Sequence, residues 1–171
     1  MSNRLVDFGI LEVMVRLRSP QVPKDFLKLL LSLGLCLGAG IIGSFFTVSA
    51  IPTWYQTLNK PFFSPPNLIF GPVWTTLYIL TGISLYLVWT KKKVPSIFWV
   101  QLILNALWSI IFFGMRNPTL AFINIIALWI AIVLTIRSFS KVDKLASQLL
   151  WPYLAWVSFA TFLNLAIVLL N

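Results

Sequence analysis

The chain has 171 residues, of which 59 % are hydrophobic and 10 % charged, with 13 Lys and Arg, 4 Asp and Glu and no His. A mean hydropathy of +0.91 lies outside the range of soluble globular domains, so the composition predicts an all-α integral membrane protein. The lack of His removes a His-held haem iron and Ser-His-Asp chemistry, and the +9 net charge reads as a membrane-facing surface, with no nucleic-acid partner expected.

Residues 1–25 mix both charge signs and carry Pro20 and Pro23. They predict a basic leader in which Leu5, Phe8, Leu11, Val15 and Arg18 recur at helical spacing, giving either an amphipathic helix on the inner membrane surface or a disordered tail. No apolar run followed by a small-residue cleavage site marks a signal peptide. Residues 26–171 predict one membrane domain of five helices. Its first span, 26–51, contains the single cysteine, Cys36, which has no partner for an intrachain disulfide and reads as a small buried side chain. Two small pairs four apart, Gly34–Gly38 and Ala39–Gly43, permit close helix contact within the bundle or between protomers.

The first connection, 52–67, leads into the most unusual stretch, KPFFSPPNLIFGPVW at 60–74. Ser64 is the expected helix N-cap, with Pro65 at the first helical position. Pro72 then falls inside the second span, 68–90, where it has no N–H for the Leu68 carbonyl and should bend the helix or leave that oxygen free just before Trp74. Trp74, Tyr78, Thr81 and Leu85 share one face of this span.

The third span, 95–115, places Gln101, Asn105, Trp108 and Phe112 on one face. The fourth, 119–136, carries Asn124. The fifth, 149–170, aligns Tyr153, Trp156, Ala160 and Leu163 and also holds Asn164. Each run is near the length that crosses a ~30 Å hydrocarbon core as helix, and their unbroken apolar character argues against a barrel. No charged side chain lies deep in any span, against proton-coupled carriers and voltage sensors. No pair stands at metal-ligand spacing, so no metal is expected. Of the basic residues all but Lys60 and Arg116 fall on one side of this layout, which predicts the N-terminus inside and the C-terminus outside.

The buried amides have two readings: helix-to-helix hydrogen bonds, or, with the aromatic stripes beside them, a pocket for a planar, mostly apolar ligand. Trp89, Trp99 and Trp151 stand near inner helix ends and fit interfacial anchors. Trp74, Trp108 and Trp156 do not.

Several strings in order carry a specific resemblance: W-Y-x-x-L-x-K-P at 54–61, Pro65-Pro66, P-V-W-T-x-L-Y at 72–78 and Y-x-V-W at 86–89. Q-L-x-L-N-x-x-W-S-x-x-F-F-G at 101–114 and P-Y-L-A-W-V-x-F-A-T-x-L-N at 152–164 complete them. Over about residues 30–170 the chain resembles the tryptophan-rich sensory protein / translocator protein family, also called the peripheral benzodiazepine receptor family.

The resemblance implies a five-helix bundle, commonly a homodimer, with a pocket closed by the first connection that binds porphyrins and isoquinoline-type ligands. It also implies a part in tetrapyrrole traffic and stress response. Some bacterial members break down protoporphyrin in light with two pocket tryptophans, which align here with Trp74 and Trp156. Trp54, Asn105, Trp108, Ala160 and Leu163 carry over as further pocket positions, and Pro72, Tyr78 and Phe112 complete the expected contacts. The expected ligand is a protoporphyrin-type tetrapyrrole, with no cofactor required.

Lys60 and Arg116 are the expected partners of its carboxylates, or else solvated loop charges. A transporter or transport subunit for porphyrin, lipid or another amphiphile, without catalysis, is the alternative. A bacterial or cyanobacterial-type cell membrane is the first expectation and an organellar one the second. The chain departs from the family at Phe63 and Leu68, where tryptophans usually stand, and at Leu120 and Asn124, where animal members place Trp and Asp. It lacks the sterol motif expected at the end of the fifth span.

Overall fold

A computed structural model describes residues 24–171. The expected leader falls almost wholly outside the described residues. Among the described residues seven α-helices follow one another: α1 (Lys24–Ala50), the short α2 (Trp54–Thr57) in the first connection, α3 (Asn67–Trp89), α4 (Ser96–Ser109), α5 (Pro118–Ser140), the short α6 (Lys144–Gln148) and α7 (Trp151–Leu170). A π-helical turn, Ile110–Gly114, prolongs α4. Among the described residues there is no strand, and five helical segments are long and apolar enough to cross a membrane.

Two local differences from expectation have simple causes. α3 begins at Asn67 behind Pro66, whose φ −56° and ψ 140° are extended, and not at Pro65 behind Ser64. Ser64 and Pro65 each precede a proline, and the crowding of the proline ring pushes such residues out of the helical region. The Ser64 N–H instead donates to the Pro61 carbonyl at 3.0 Å and closes a turn. The fourth span is longer than expected. It opens at Pro118, where the Asn117 side chain accepts from the Leu120 N–H at 2.9 Å, and it runs to Ser140, with Arg137 in its last turn opposite the negative helix end.

α1 packs most extensively on α3 and then on α4, α4 on α5, and α5 on α7. At Gly82 the first two spans touch through their backbones: a Cβ there would sit 3.0 Å from Leu33 Cα and 3.2 Å from the Ser32 carbonyl oxygen. Gly40 similarly lies under the ring of Tyr78. Gly34 and Gly38 have open space beside them, so this pair is not used inside the bundle. α3 and α7 approach little through their backbones. Aromatic rings bridge that seam instead, Trp74 edge-on to Tyr153 at 6.3 Å and Phe70 edge-on to Trp156 at 6.1 Å.

Both ends of the bundle are tied. At the lysine-rich end Lys91 pairs with Asp143, joining the second and fourth connections, and Asp143 also caps α6 by accepting from the Ala146 N–H at 2.8 Å. At the opposite end, here called the lid end, the first connection is bonded to the end of α7 through Asn59 and Asn171. Arg116, in the third connection, is held at φ 52°, a left-handed conformation that few side chains adopt without cost.

Candidate functional site

Below Gly82 the first two spans are in contact; past Tyr78, toward the lid, they enclose a cavity of about 510 Å³. Its walls come from α1 (Leu37 to Ile51), from α3 (Asn67 to Tyr78), and from Trp108, Ser109 and Phe113 behind, with Tyr55 of the lid above. The size falls within the ~300–1,000 Å³ typical of small-molecule sites. The glycines act in two ways: a Cβ at Gly40 or Gly43 would run into Tyr78 or Ser109, so these two permit close contact at the α1 wall, whereas at Gly71 a Cβ would meet nothing within 4 Å.

The surface of this cavity is mostly apolar, and three of its hydroxyls are spent on their own helices. Ser44 Oγ donates to the Ile41 carbonyl at 2.7 Å, Thr47 Oγ1 to Gly43 at 2.9 Å and Thr75 Oγ1 to Gly71 at 2.9 Å. The flat groups are Trp74 and Tyr78, stacked at 5.6 Å with 29° between their planes, and Trp108. Among the described residues no Lys, Arg, Asp or Glu lines it.

A second, narrow cavity of about 30 Å³ lies between this space and α7. Trp74, Trp108, Phe112, Trp156, Ala160 and Leu163 line it, so the structure brings these predicted residues together. It is too small for a ring ligand and holds room for about one water. Tyr55, Phe70, Trp74, Trp108 and Phe113 belong to both cavities and form the partition. On the α7 side Trp156 Nε1 is buried with no hydrogen-bond partner among the described residues, an uncommon condition for a donor.

The amides divide between the two readings. Tyr78 OH donates to Asn105 Oδ1, and Asn105 Nδ2 donates to Tyr153 OH at 2.9 Å, so Asn105 ties α3, α4 and α7 together. Trp108 Nε1 donates to Asn164 Oδ1 at 3.1 Å, and Asn164 Nδ2 to the Pro118 carbonyl at 2.9 Å. These are helix-to-helix bonds. Gln101, by contrast, has neither side-chain atom paired, and Asn124 Oδ1 is unpaired as well.

The remaining predicted residues stand around this pair of cavities. Trp54 packs edge-on against Phe112 at 5.5 Å and lines neither space. Pro72 is exposed and also lines neither. Lys60 Nζ lies 4.7 Å from the centre of the Tyr55 ring, a cation–π distance, and Tyr55 itself roofs both cavities. Burial pushes the Tyr55 phenol up, with a hydrogen bond from Ser64 acting the other way. Arg116 is exposed on the neighbouring connection. Of the two departures from the family pattern, Phe63 packs on Phe62 and Phe159, while Leu68 stands 88 % exposed at the rim of the large cavity.

Three residues of the partition, Tyr55, Phe70 and Phe113, were not among those expected. Phe113 is five positions beyond Trp108 and would lie off its face on a regular α-helix. The π turn, closed by the Met115 N–H donating to the Ile110 carbonyl at 2.8 Å, widens the helix so that Phe112 and Phe113 both contact Trp108, at 5.1 and 5.9 Å. Such turns often occur at functional sites. Only the doubled Phe-Phe before Gly114 hints at it.

Comparison with known proteins gives a consistent pattern. The model of the TspO/MBR family matches residues 32–170. "Tryptophan-rich protein TspO" of Archaeoglobus fulgidus is 50 % identical over 152 residues, covering 86 % of this chain and 99 % of the relative. The protein of the same name in Chlorobaculum tepidum is 47 % identical, covering 86 % and 98 %. "Translocator protein" of Homo sapiens is 39 % identical, covering 85 % and 88 %.

Proposed function

The chain belongs to the TspO/MBR family, and from that premise we propose that it binds a protoporphyrin-type tetrapyrrole within the membrane. It is a multi-pass integral membrane protein, and its 47 % identical relative in Chlorobaculum tepidum supports a bacterial-type membrane. Family membership supports a receptor or transport role at that membrane.

One observation carries the reading. The cavity of about 510 Å³ is faced by the stacked Trp74–Tyr78 pair and by Trp108, flat surfaces suited to a planar ring. A free-base ring suits these walls, which offer no nitrogen ligand for iron. Lys60, over Tyr55 at the lid end, is the proposed partner for one ring carboxylate, with Arg116 at the neighbouring connection for another. On the α7 side Phe70, one residue of the partition, stands edge-on to Trp156 at 6.1 Å.

Under light, Trp74 and Trp156 are the proposed electron donors. The excited ring takes one electron from an indole, so the indole is oxidised and the ring reduced, and dissolved dioxygen supplies the oxidising equivalents for ring breakdown. Homodimerisation through the open Gly34–Gly38 surface of α1 belongs to the same proposal.

The test is an absorbance titration of the detergent-solubilised protein with protoporphyrin, in the dark and after illumination. Binding shifts the Soret band and quenches tryptophan fluorescence at micromolar ligand; absence of both overturns the reading. At saturating ligand, Trp74→Phe and Trp156→Phe slow light-dependent ligand loss, and unchanged photolysis removes them from the chemistry. The lateral opening of the cavity between α1 and α3 favours a second reading, a carrier of amphiphiles without catalysis. Porphyrin flux into proteoliposomes in the dark distinguishes it.

A further inference from the structure

We propose that the groove between α1 and α3 is a lipid site, holding one acyl chain of a membrane phospholipid when no ring ligand occupies it. Three observations lead there, and none depends on the porphyrin reading.

The first is where the groove opens. Ile41, Val48 and Leu68 line it and are 58, 70 and 88 % exposed. They lie on helices that cross the membrane, so the surface they form meets lipid tails. The groove is a recess in that lipid-facing surface and continuous with it, and among the described residues no charged side chain lines it to exclude a hydrocarbon.

The second is its chemistry. With Ser44, Thr47 and Thr75 bonded to their own helices and Tyr78 to Asn105, the remaining hydroxyl and amide side chains of the groove are those of Tyr55, Asn67 and Ser109, few for its size. Water filling it would forgo hydrogen bonds that it makes elsewhere. An uncharged chain loses nothing by entering, and no ion pair is left broken.

The third is its shape. At Gly71 a Cβ would meet nothing within 4 Å, which leaves room in a slot between two helices that touch at Gly82 and enclose the cavity toward the lid. A dry void of this size would leave its walls without dispersion partners. In a bilayer, where association rests on packing more than on the hydrophobic effect, a neighbouring acyl chain is the nearest material to fill it.

The experiment uses the full chain in phosphatidylcholine nanodiscs carrying a trace of the same lipid with a diazirine at mid-chain. After photolysis, labelled peptides are mapped. The stretches facing the groove, 41–51 and 67–78, are expected to carry several-fold more label per residue than the lipid-facing surface of α5 around Ile123 and Ile130. Gly71→Leu places a side chain in open space within the groove, and is expected to bring the groove label down to the α5 level while α5 labelling stays constant. Ser44→Leu provides the same filling from the opposite wall should Gly71→Leu fold poorly. Groove labelling no higher than that of α5 in the parent protein, or unchanged in a folded filled variant, overturns the assignment. The dark porphyrin titration on the same nanodiscs is a separate readout, so loss of one reading leaves the other standing.

Discussion

The carboxamide of Asn171 holds the backbone of Asn59 from both sides: its Oδ1 accepts from the Asn59 N–H at 2.9 Å and its Nδ2 donates to the Asn59 carbonyl at 3.1 Å. Asn59 returns the contact, its Nδ2 donating to the Leu170 carbonyl at 3.2 Å. The lid is thereby fastened to α7 immediately before Lys60 and the proline-rich stretch. Asn171→Ala removes two of these bonds at a solvated position, where each is worth about 0.5–1.5 kcal/mol. The expected result is faster hydrogen exchange at the Asn59 amide and along 54–66, with faster ligand association and release. Unchanged exchange at Asn59 would show that the clamp restrains nothing.

Gly82 and Gly34 test the packing of α1 in opposite ways. A side chain at Gly82 meets the backbone of Leu33 and Ser32, which cannot yield as a side chain can. Gly82→Leu should therefore destabilise the bundle by at least the ~1–3 kcal/mol of ordinary overpacking. Gly34→Leu meets nothing and should leave thermal stability of the monomer within about 0.5 kcal/mol. If copies of the chain pair through that surface, Gly34→Leu also weakens the dimer, which cross-linking in the bilayer reads directly.

The unpaired indole N–H of Trp156 makes a prediction that packing alone would not. A buried donor without a partner costs about 1–3 kcal/mol, so Trp156→Phe should leave the ligand-free protein as stable as before or more stable. If the N–H serves a ligand acceptor, the same change weakens porphyrin binding about tenfold, equivalent to about 1.4 kcal/mol. Lower stability in the thermal melt with unchanged affinity would assign the residue to packing only.

At the lysine-rich end the hydrogen bond from Lys91 holds the Asp143 carboxyl below the usual carboxylate range, assisted by the Ala146 and Leu145 N–H groups. A carboxylate whose pKa is lower folded than unfolded contributes its full stabilisation above the unfolded value of about 3.9. That contribution is lost as the pH falls through the folded value. Lys91 is half exposed, so solvent screens the pair and its worth is about 1 kcal/mol or less. Asp143→Asn should be slightly less stable at neutral pH and lack this acid step. Melting temperatures from pH 7 downward, compared between the two proteins, check it.

Span count and helical type were legible in the sequence because unbroken apolar runs of membrane length leave few alternatives. The faces were legible too: Trp74, Trp108, Phe112, Trp156, Ala160 and Leu163 do meet around one space. What helical periodicity could not show was that this space is narrow and that the larger cavity lies to its side, between α1 and α3. That depends on glycines whose contribution is the absence of a side chain. Gly82 lets the helices touch, Gly40 and Gly43 let Tyr78 and Ser109 press close to α1, and Gly71 leaves room beyond. The start of α3 was misplaced because a good N-cap residue, Ser64, is overruled by the two prolines that follow it. Phe113 was missed because spacing rules assume a regular α-helix, and the π turn changes the spacing.

The inward bonding of Ser44, Thr47 and Thr75 to their own carbonyls has a consequence for discrimination. A wall with few free donors or acceptors tells two molecules apart mainly by shape, and shape alone gives weak selectivity between apolar compounds of similar outline. Sharp preferences then come from isolated polar points, among them the Trp156 N–H and the Lys60 ammonium. A screen of related compounds should accordingly show broad tolerance for changes in the hydrocarbon part and steep penalties only where an acceptor or an acid group is removed.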